Sequence, residues 1–388
     1  MDGSTPIHSP LGASSAERWM NCPGSVALLK KLDLPESDEP DYRRDGVAAH
    51  EAAAHCLTNG LDGWEIIGSK FHEVEVTEEI ANAIQLYLDT VRPLTAKPGV
   101  NVYVEQRVQF SEHALGYGTV DCGVFDPETC QLDVNDYKHG QGVVVDAEWN
   151  PQLLYYAHGL IQLHPETRWI KVRIIQPRAF HPEGPVREWT LSADMLQMWV
   201  ESDLLPAMSA AELDSTLDAG PWCRFCPAKL ICPVMTSLFG AAAKADPRHS
   251  VNLSDESLGR DYQAAQAVKH YLKAIEDETF RRLNLGRDVP NTKLVAKKAN
   301  RVWKEGGPEV VKARFGADAL TTPEVKSPAQ IEALGPEAKK VVSEWAFSPQ
   351  TGLTVALASD KRPAVKVQST QEAFGAAVSA LTATDTSA

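Results

Sequence analysis

No run of roughly eighteen apolar residues occurs in the chain, so no segment reads as a membrane-spanning helix. The opening MDGSTPIHSPLGASSAERW has neither a basic stretch nor an apolar one, so no secretory leader is expected and the chain is expected in the cytoplasm. Positive charge is short as well: 38 Lys and Arg against 52 Asp and Glu leave a net charge of −14. That argues against a protein gripping a phosphate backbone over its whole surface, because such affinity comes from cations that release counterions. Cysteine is scarce, seven in 388 residues, and a reducing compartment disfavours disulfides. A P-loop, Gly-x4-Gly-Lys-Ser/Thr, is missing, which excludes a nucleotide-driven motor of that type.

What is present suffices for a globular protein, since a hydrophobic content of 43% can bury one large core or two modest ones. The charge is also uneven. Acid concentrates in 33–41 and 73–79, whereas 292–304 carries Lys293, Lys297, Lys298, Arg301 and Lys304 with no acid. A local basic groove and an ordinary solvated strand both fit that segment.

Ser14-Ser15-Ala16-Glu17 reads as a helix start, with Pro23-Gly24 breaking the helix just past Cys22. Residues 33–41 read as a loop, and 46–57 (GVAAHEAAAHCL) as a helix holding His50. A second helix is expected from Glu78 to Val91, ended by Pro93. Asn101 to Phe110 alternates as a strand, in which Glu105 could approach the site, although a polar residue in an alternating strand usually marks its outward face. Trp169 to Gln176 makes a further strand, Leu191 to Leu217 a helix broken at Pro206, and Ser254 to Leu285 a long helix. The expected divisions are 1–240, 250–366 and a mobile tail, 367–388.

The most informative stretch runs from Gly116 to Tyr156. Gly118 to Phe125 and Gln131 to Lys138 are β-rich and flank Asp126-Pro127-Glu128-Thr129, which predicts an antiparallel hairpin. Strand periodicity puts Leu132, Val134, Asp136 and Lys138 on one face. With the turn centred on Pro127 and Glu128, Asp121 lies opposite Val134 and diagonal to Asp136, roughly 7–8 Å away. Two such carboxylates repel unless a cation lies between them, and a hard ion such as Mg²⁺ suits them. Lys138 beside that ion could orient a water or neutralise charge on a phosphate. Asn150-Pro151 then caps a helix that places Gln152 and Tyr156 one turn apart on one face.

A second signature is Cys223-x2-Cys226-x5-Cys232. Three thiolates need a fourth ligand, and Cys22, at a helix end before Pro-Gly, is assigned to it in preference to Cys56, Cys122 and Cys130. Spacing leaves zinc and an iron–sulfur cluster both open.

Taken together, Gly118-Thr-Val-Asp121, Asp136-Tyr-Lys138 and Gln152-x3-Tyr156 resemble the PD-(D/E)XK nuclease superfamily in its RecB-like branch of exonucleases. The resemblance implies an α/β, restriction-endonuclease-like core of αβββαβ order, with a mixed central sheet, flanking helices and a cysteine-bound cluster. It implies a Mg²⁺- or Mn²⁺-dependent DNA exonuclease in which Asp121, Asp136, Lys138, Gln152 and Tyr156 act in catalysis. Gly46-Val-Ala-Ala-His50 matches the family's Gly-x3-His element, which implies His50 as a metal ligand with Asp121 and Asp136; Glu51 is held in reserve. The lone upstream cysteine with Cys-x2-Cys-x5-Cys is similar to the [4Fe–4S] arrangement of AddB-type nucleases, implying a cluster on Cys22, Cys223, Cys226 and Cys232 in place of zinc.

SSAERWMNCPGSVAL, NDYKHGQG and ASDKRPAV further resemble a phage and prophage family known as DUF2800, over about residues 8 to 366. Its setting implies a bacterial host cytoplasm, DNA as partner, and a single-strand-binding or annealing protein or a helicase as accessory. A nucleic-acid-binding scaffold with a decayed site and a zinc-stapled interaction module are the rival readings.

Overall fold

A fork between two strands organises the first part of the fold. The computed structural model describes residues 9–32, 41–244, 254–298, 302–321, 324–325, 335–347, 350–357 and 364–365, with single residues at 328 and 331. Of the acidic loop expected at 33–41, residues 33–40 lie outside the described residues, as does the C-terminal tail, and Asp41 opens a helix. The chain divides into two units, 1–270 and 271–388.

In the first unit, α1 (Ala16–Asn21), α2 (Gly24–Lys31), α3 (Asp41–Asn59) and α4 (Glu78–Thr95) precede β1 (Asn101–Gln109), β2 (Tyr117–Asp126) and β3 (Gln131–Tyr137). Helix α5 (Pro151–Ile161) crosses to β4 (Trp169–Ile175), and β5 (Val186–Ser192) follows. The five strands form one mixed sheet in sequence order, antiparallel except for the β3–β4 pair. That parallel pair needs a crossover, and α5 supplies it. Leu153, Leu154, Tyr155 and Leu160 of α5 pack in a core with Leu132, Val134, Ile170 and Val172. A second core joins Ala52, Ala53, Ile84 and Leu88 of α3 and α4 to Cys122, Val124 and Ile175. Helices therefore flank the sheet, which is a mixed α/β arrangement.

Three expectations are corrected. Helix α4 passes through Pro93 to Thr95, because a proline within the last turn removes a single hydrogen bond there. Nor does the helix after β5 break at Pro206. It runs from α6 (Ala193–Trp199) through a π-turn, Val200–Leu204, into α7 (Leu205–Leu213), and the widened turn just before Pro206, where Leu205 N bonds to Val200 O, accommodates its ring and missing N–H.

The third correction is register. Asp126 pairs with Gln131, so the loop is Pro127–Cys130 and Gly123, not Asp121, stands opposite Val134. The four-residue loop closes because Cys130 adopts φ 53°, while Asp126 accepts from Glu128 N at 3.0 Å and Thr129 Oγ1 at 2.8 Å. The register shift is two residues, so Asp121 keeps its face.

After α8 (Pro233–Ala243), helix α9 (Asp255–Asn284) leads into the second unit. There β6 (Thr292–Lys298) pairs antiparallel with β7 (Gln350–Leu357), and α10 (Gly307–Phe315) and α11 (Pro336–Trp345) contribute Val311, Ala338, Val341 and Val342 to a small core. Part of the basic segment is thus strand β6; residues 299–301 lie outside the described ones. No described helix is long and apolar enough to cross a membrane.

Candidate functional site

Pairing between β2 and β3 ends at Cys122 and Asn135, whereas β3 stays paired with β4 as far as Tyr137 and Ile175. The strands part, and the opening is filled by side chains. Asp121 Oδ2 accepts the Tyr137 N–H at 2.8 Å, and His50 Nδ1 on α3 lies 3.3 Å from the same oxygen. The His50 ring is steadied by Tyr137, 5.4 Å between centroids, and Tyr137 by Tyr87 at 5.3 Å.

Asp136, one residue earlier on β3, is almost wholly buried. Gln152 Nε2 donates to its Oδ1 at 2.9 Å and to Tyr156 Oη at 3.3 Å, while Gln152 Oε1 accepts from Lys138 Nζ at 2.8 Å. Gln152 itself is fixed by the Asn150 cap, whose side chain accepts from the N–H groups of Gln152 and Leu153. Lys138 Nζ also lies 2.8 Å from Asp136 Oδ2. A carboxylate oxygen has lone pairs for more than one partner, so Asp136 paired with Lys138 can still serve a cation.

The donor set agrees. Ligating atoms of His50, Glu105 and Asp121 lie within 4.8 Å of one another. Among the residues proposed from sequence, the structure brings His50 and Asp121 into this group and sets Asp136 beside it, held by Lys138 and Gln152. Glu51 is exposed and outside it. For Glu105 the sequence leaves an approach to the site and a plain outward face both open. It lies at the solvent edge of the site, with φ 47° inside an otherwise regular β1–β2 ladder, so this non-glycine backbone is strained where it meets Asp121. Alternation along β1 could not show that twist.

The charges are mutually dependent. Burial, reinforced by Asp121, raises the Asp136 carboxyl to about 6 against the pull of Lys138. Burial and Asp121 likewise raise Glu105 to about 7. Burial alone would lower His50, but the Asp121 carboxylate outweighs it and raises the imidazole to about 9. Asp121 is lowered: burial opposes its charge, and His50 and Lys138 more than compensate. Two carboxyls raised in one opening with a third kept ionised is an arrangement that a divalent cation would relieve. Burial also raises the Tyr156 phenol well above its usual range, so its proton stays on.

Cys223, Cys226 and Cys232 of the spaced motif and Cys22 of the helix end line one cavity together with Arg18, Ser25, Trp222 and Lys229. Cys22 is the C-cap of α1. The turn after it presses against 214–218, where Gly24 N donates to Thr216 O at 2.8 Å and a Cβ on Gly24 would stand 2.4 Å from Ser215 O. Asp218 N donates to Cys22 Sγ at 3.3 Å and Gly220 N to Cys223 Sγ at 3.5 Å. Arg18 Nη1 donates to Ser25 Oγ at 2.7 Å; burial lowers its guanidinium, opposed by charge on Cys226 and Cys22. Burial pushes the Cys223 thiol up to about 11. Convergent thiols, backbone N–H donors aimed at sulfur and a nearby cation suit thiolates bound to metal. Cys56 and Cys122 belong to the core beneath α3 and α4, and Cys130 to the hairpin loop.

A family model described as a protein of unknown function, DUF2800, matches residues 8–363, a span that includes the strand fork and all four convergent cysteines. The chain belongs to that family.

Proposed function

We propose that the protein is a divalent-metal-dependent deoxyribonuclease of the RecB-like PD-(D/E)XK type, acting as an exonuclease in a phage replication or recombination module. The observation that carries this reading is the convergence of the His50, Glu105 and Asp121 donors next to buried Asp136, which is ion-paired with Lys138 at 2.8 Å. Asp121, Asp136 and His50 would hold Mg²⁺ or Mn²⁺, with Glu105 as a further donor. Bound there, the cation would acidify a water and neutralise charge on the scissile phosphate. Lys138 presents its ammonium to the place where negative charge grows and orients the attacking water. Gln152 fixes Lys138 and Asp136 relative to each other, so neither must reorganise during reaction. Tyr156 remains a hydroxyl and can hold a phosphate or the Gln152 amide. Cys22, Cys223, Cys226 and Cys232 would hold a [4Fe–4S] cluster, which joins segments far apart in sequence. A helicase, or a single-strand-binding or annealing protein, would supply the DNA ends.

Anaerobically purified protein, offered end-labelled linear DNA and closed circles with Mg²⁺ or Mn²⁺, should degrade the linear substrate. Asp136→Ala and Lys138→Ala should each lower turnover at least ~10²-fold with the melting profile retained. Cleavage of closed circles would make it an endonuclease, and unchanged turnover in either variant would overturn the site. Absence of hydrolysis on any substrate would favour a scaffold.

A further inference from the structure

The loops that leave the carboxyl ends of β3 and β4, residues 138–150 and 176–185, are bound into one rim. Gln176 donates to Gly140 O at 2.9 Å and Val143 O at 2.7 Å and accepts from Val145 N at 3.2 Å. His181 Nε2 lies 3.1 Å from Asp146 Oδ1. Arg224, between two of the convergent cysteines, donates to Gly142 O at 3.0 Å, which brings the Cys223–Cys226 turn onto the same rim. Such a rim, outside the carboxyl ends of neighbouring parallel strands, is where open α/β sheets place their ligands.

Three aromatic side chains stand out from it. Phe180 is 88% exposed, Phe225 63% and Trp149 48%. Each leaves in water an apolar face that burial would favour. Trp149 is also held at φ 51°, a strained conformation for a bulky residue. It comes three residues before Gln152, and its indole leans on Trp189, 4.7 Å between centroids at 49°. The Arg224 guanidinium lies 5.6 Å from the Phe225 ring centroid, so a cation accompanies the aromatic face.

We propose that this rim is a stacking platform for single-stranded DNA, with unpaired bases on Trp149, Phe180 and Phe225 and the strand leading to Asp136 and Lys138. The proposal rests on the nuclease reading and adds the strand form it acts on. Two features of the molecule select that occupant. Aromatic faces can stack only on bases whose own faces are free, and in a duplex those are covered. The net charge of −14 also leaves little general electrostatic grip. A single strand suffers less from that shortage, since its lower charge density makes binding depend less on counterion release, and base stacking supplies about 1–3 kcal/mol per base.

The test is binding without cleavage. Full-length protein in EDTA is titrated into fluorescent oligothymidylate and into a duplex of equal length. The single strand should bind more tightly and quench tryptophan fluorescence. Phe180→Ala and Trp149→Ala should each weaken single-strand binding by about 5- to 100-fold, as one lost stacking contact predicts. Phe180 is almost free of the fold, so its variant must melt like the parent, and Trp149→Phe should keep most of the affinity. Equal affinity for duplex, or unchanged affinity in Phe180→Ala, would overturn the platform. Should the protein hydrolyse DNA through Asp136 and Lys138 while these variants bind normally, only the platform fails. If it binds the single strand through the rim yet hydrolyses nothing, the nuclease reading fails and the platform stands.

Discussion

Gln152 makes three side-chain hydrogen bonds, one each to Lys138, Asp136 and Tyr156, and so sets the geometry of the site. The titrating groups around it make metal binding a competition with protons. Asp136 is raised to about 6, Glu105 to about 7 and His50 to about 9. All three are raised above their unfolded values, so each contributes stability that is fully present below the unfolded pKa and lost as pH rises through the folded one. The metal-free protein should therefore lose stability from about pH 4 upward through about pH 9, while Asp121, lowered, contributes above its unfolded value. A cation binds the deprotonated forms. The rise in melting temperature on adding Mn²⁺ should therefore grow steadily between about pH 5 and pH 9, and Glu105→Gln should diminish it. A shift independent of pH would remove these groups from the metal site.

At the scale of elements, the closeness of α5 to β1 decides whether Gln152 and Tyr156 reach the fork. Gly159 makes that approach: an added Cβ would lie 2.6 Å from Val108 Cβ and 2.7 Å from Val108 Cγ2. Gly159→Ala should destabilise the fold by about 1–3 kcal/mol, because a branched core side chain cannot swing aside. Gly240 in α8 has nothing within 4 Å of its added Cβ. Gly240→Ala should instead stabilise by about 0.5–1 kcal/mol through helix propensity. Urea melts of the two variants should thus move in opposite directions; a Gly159→Ala midpoint at or above the parent's would show that the helix can retreat without cost.

For the first unit, the cysteine cavity joins segments far apart in the chain, with Asp218 N on Cys22 Sγ across 196 residues. A bound group there would close a long loop and restrict the unfolded chain, as any distant cross-link does. Anaerobic protein should be brown and carry about four irons per chain, as a [4Fe–4S] centre requires. Cys22→Ser should lose iron and melt earlier, whereas Cys56→Ser, Cys122→Ser and Cys130→Ser should keep full iron. Stoichiometric zinc, or full iron in Cys22→Ser, would refute the cluster or its fourth ligand and leave the reading of Asp136 and Lys138 untouched.

Periodicity and local chemistry determined most of the element order. Alternation in 101–110 and 169–176, the Asn150-Pro151 cap and the helical spacing in 78–91 each act within a few residues, so they are legible without a fold. The side-chain face of Asp121 and Asp136 was legible too, since a two-residue register error preserves parity. The turn that set the true register was not, because Cys130 adopts its left-handed conformation only within the closed loop. The meeting of Cys22 with Cys223, Cys226 and Cys232 was legible from the sequence; tertiary structure alone decided that β2 and β3 part beyond Cys122 and Asn135 and that the strained backbone of Glu105 carries its carboxylate to His50 and Asp121. These are contacts between segments that share no local pattern. They arise where whole strands and helices, packed by their apolar faces, leave polar side chains no other partners than one another.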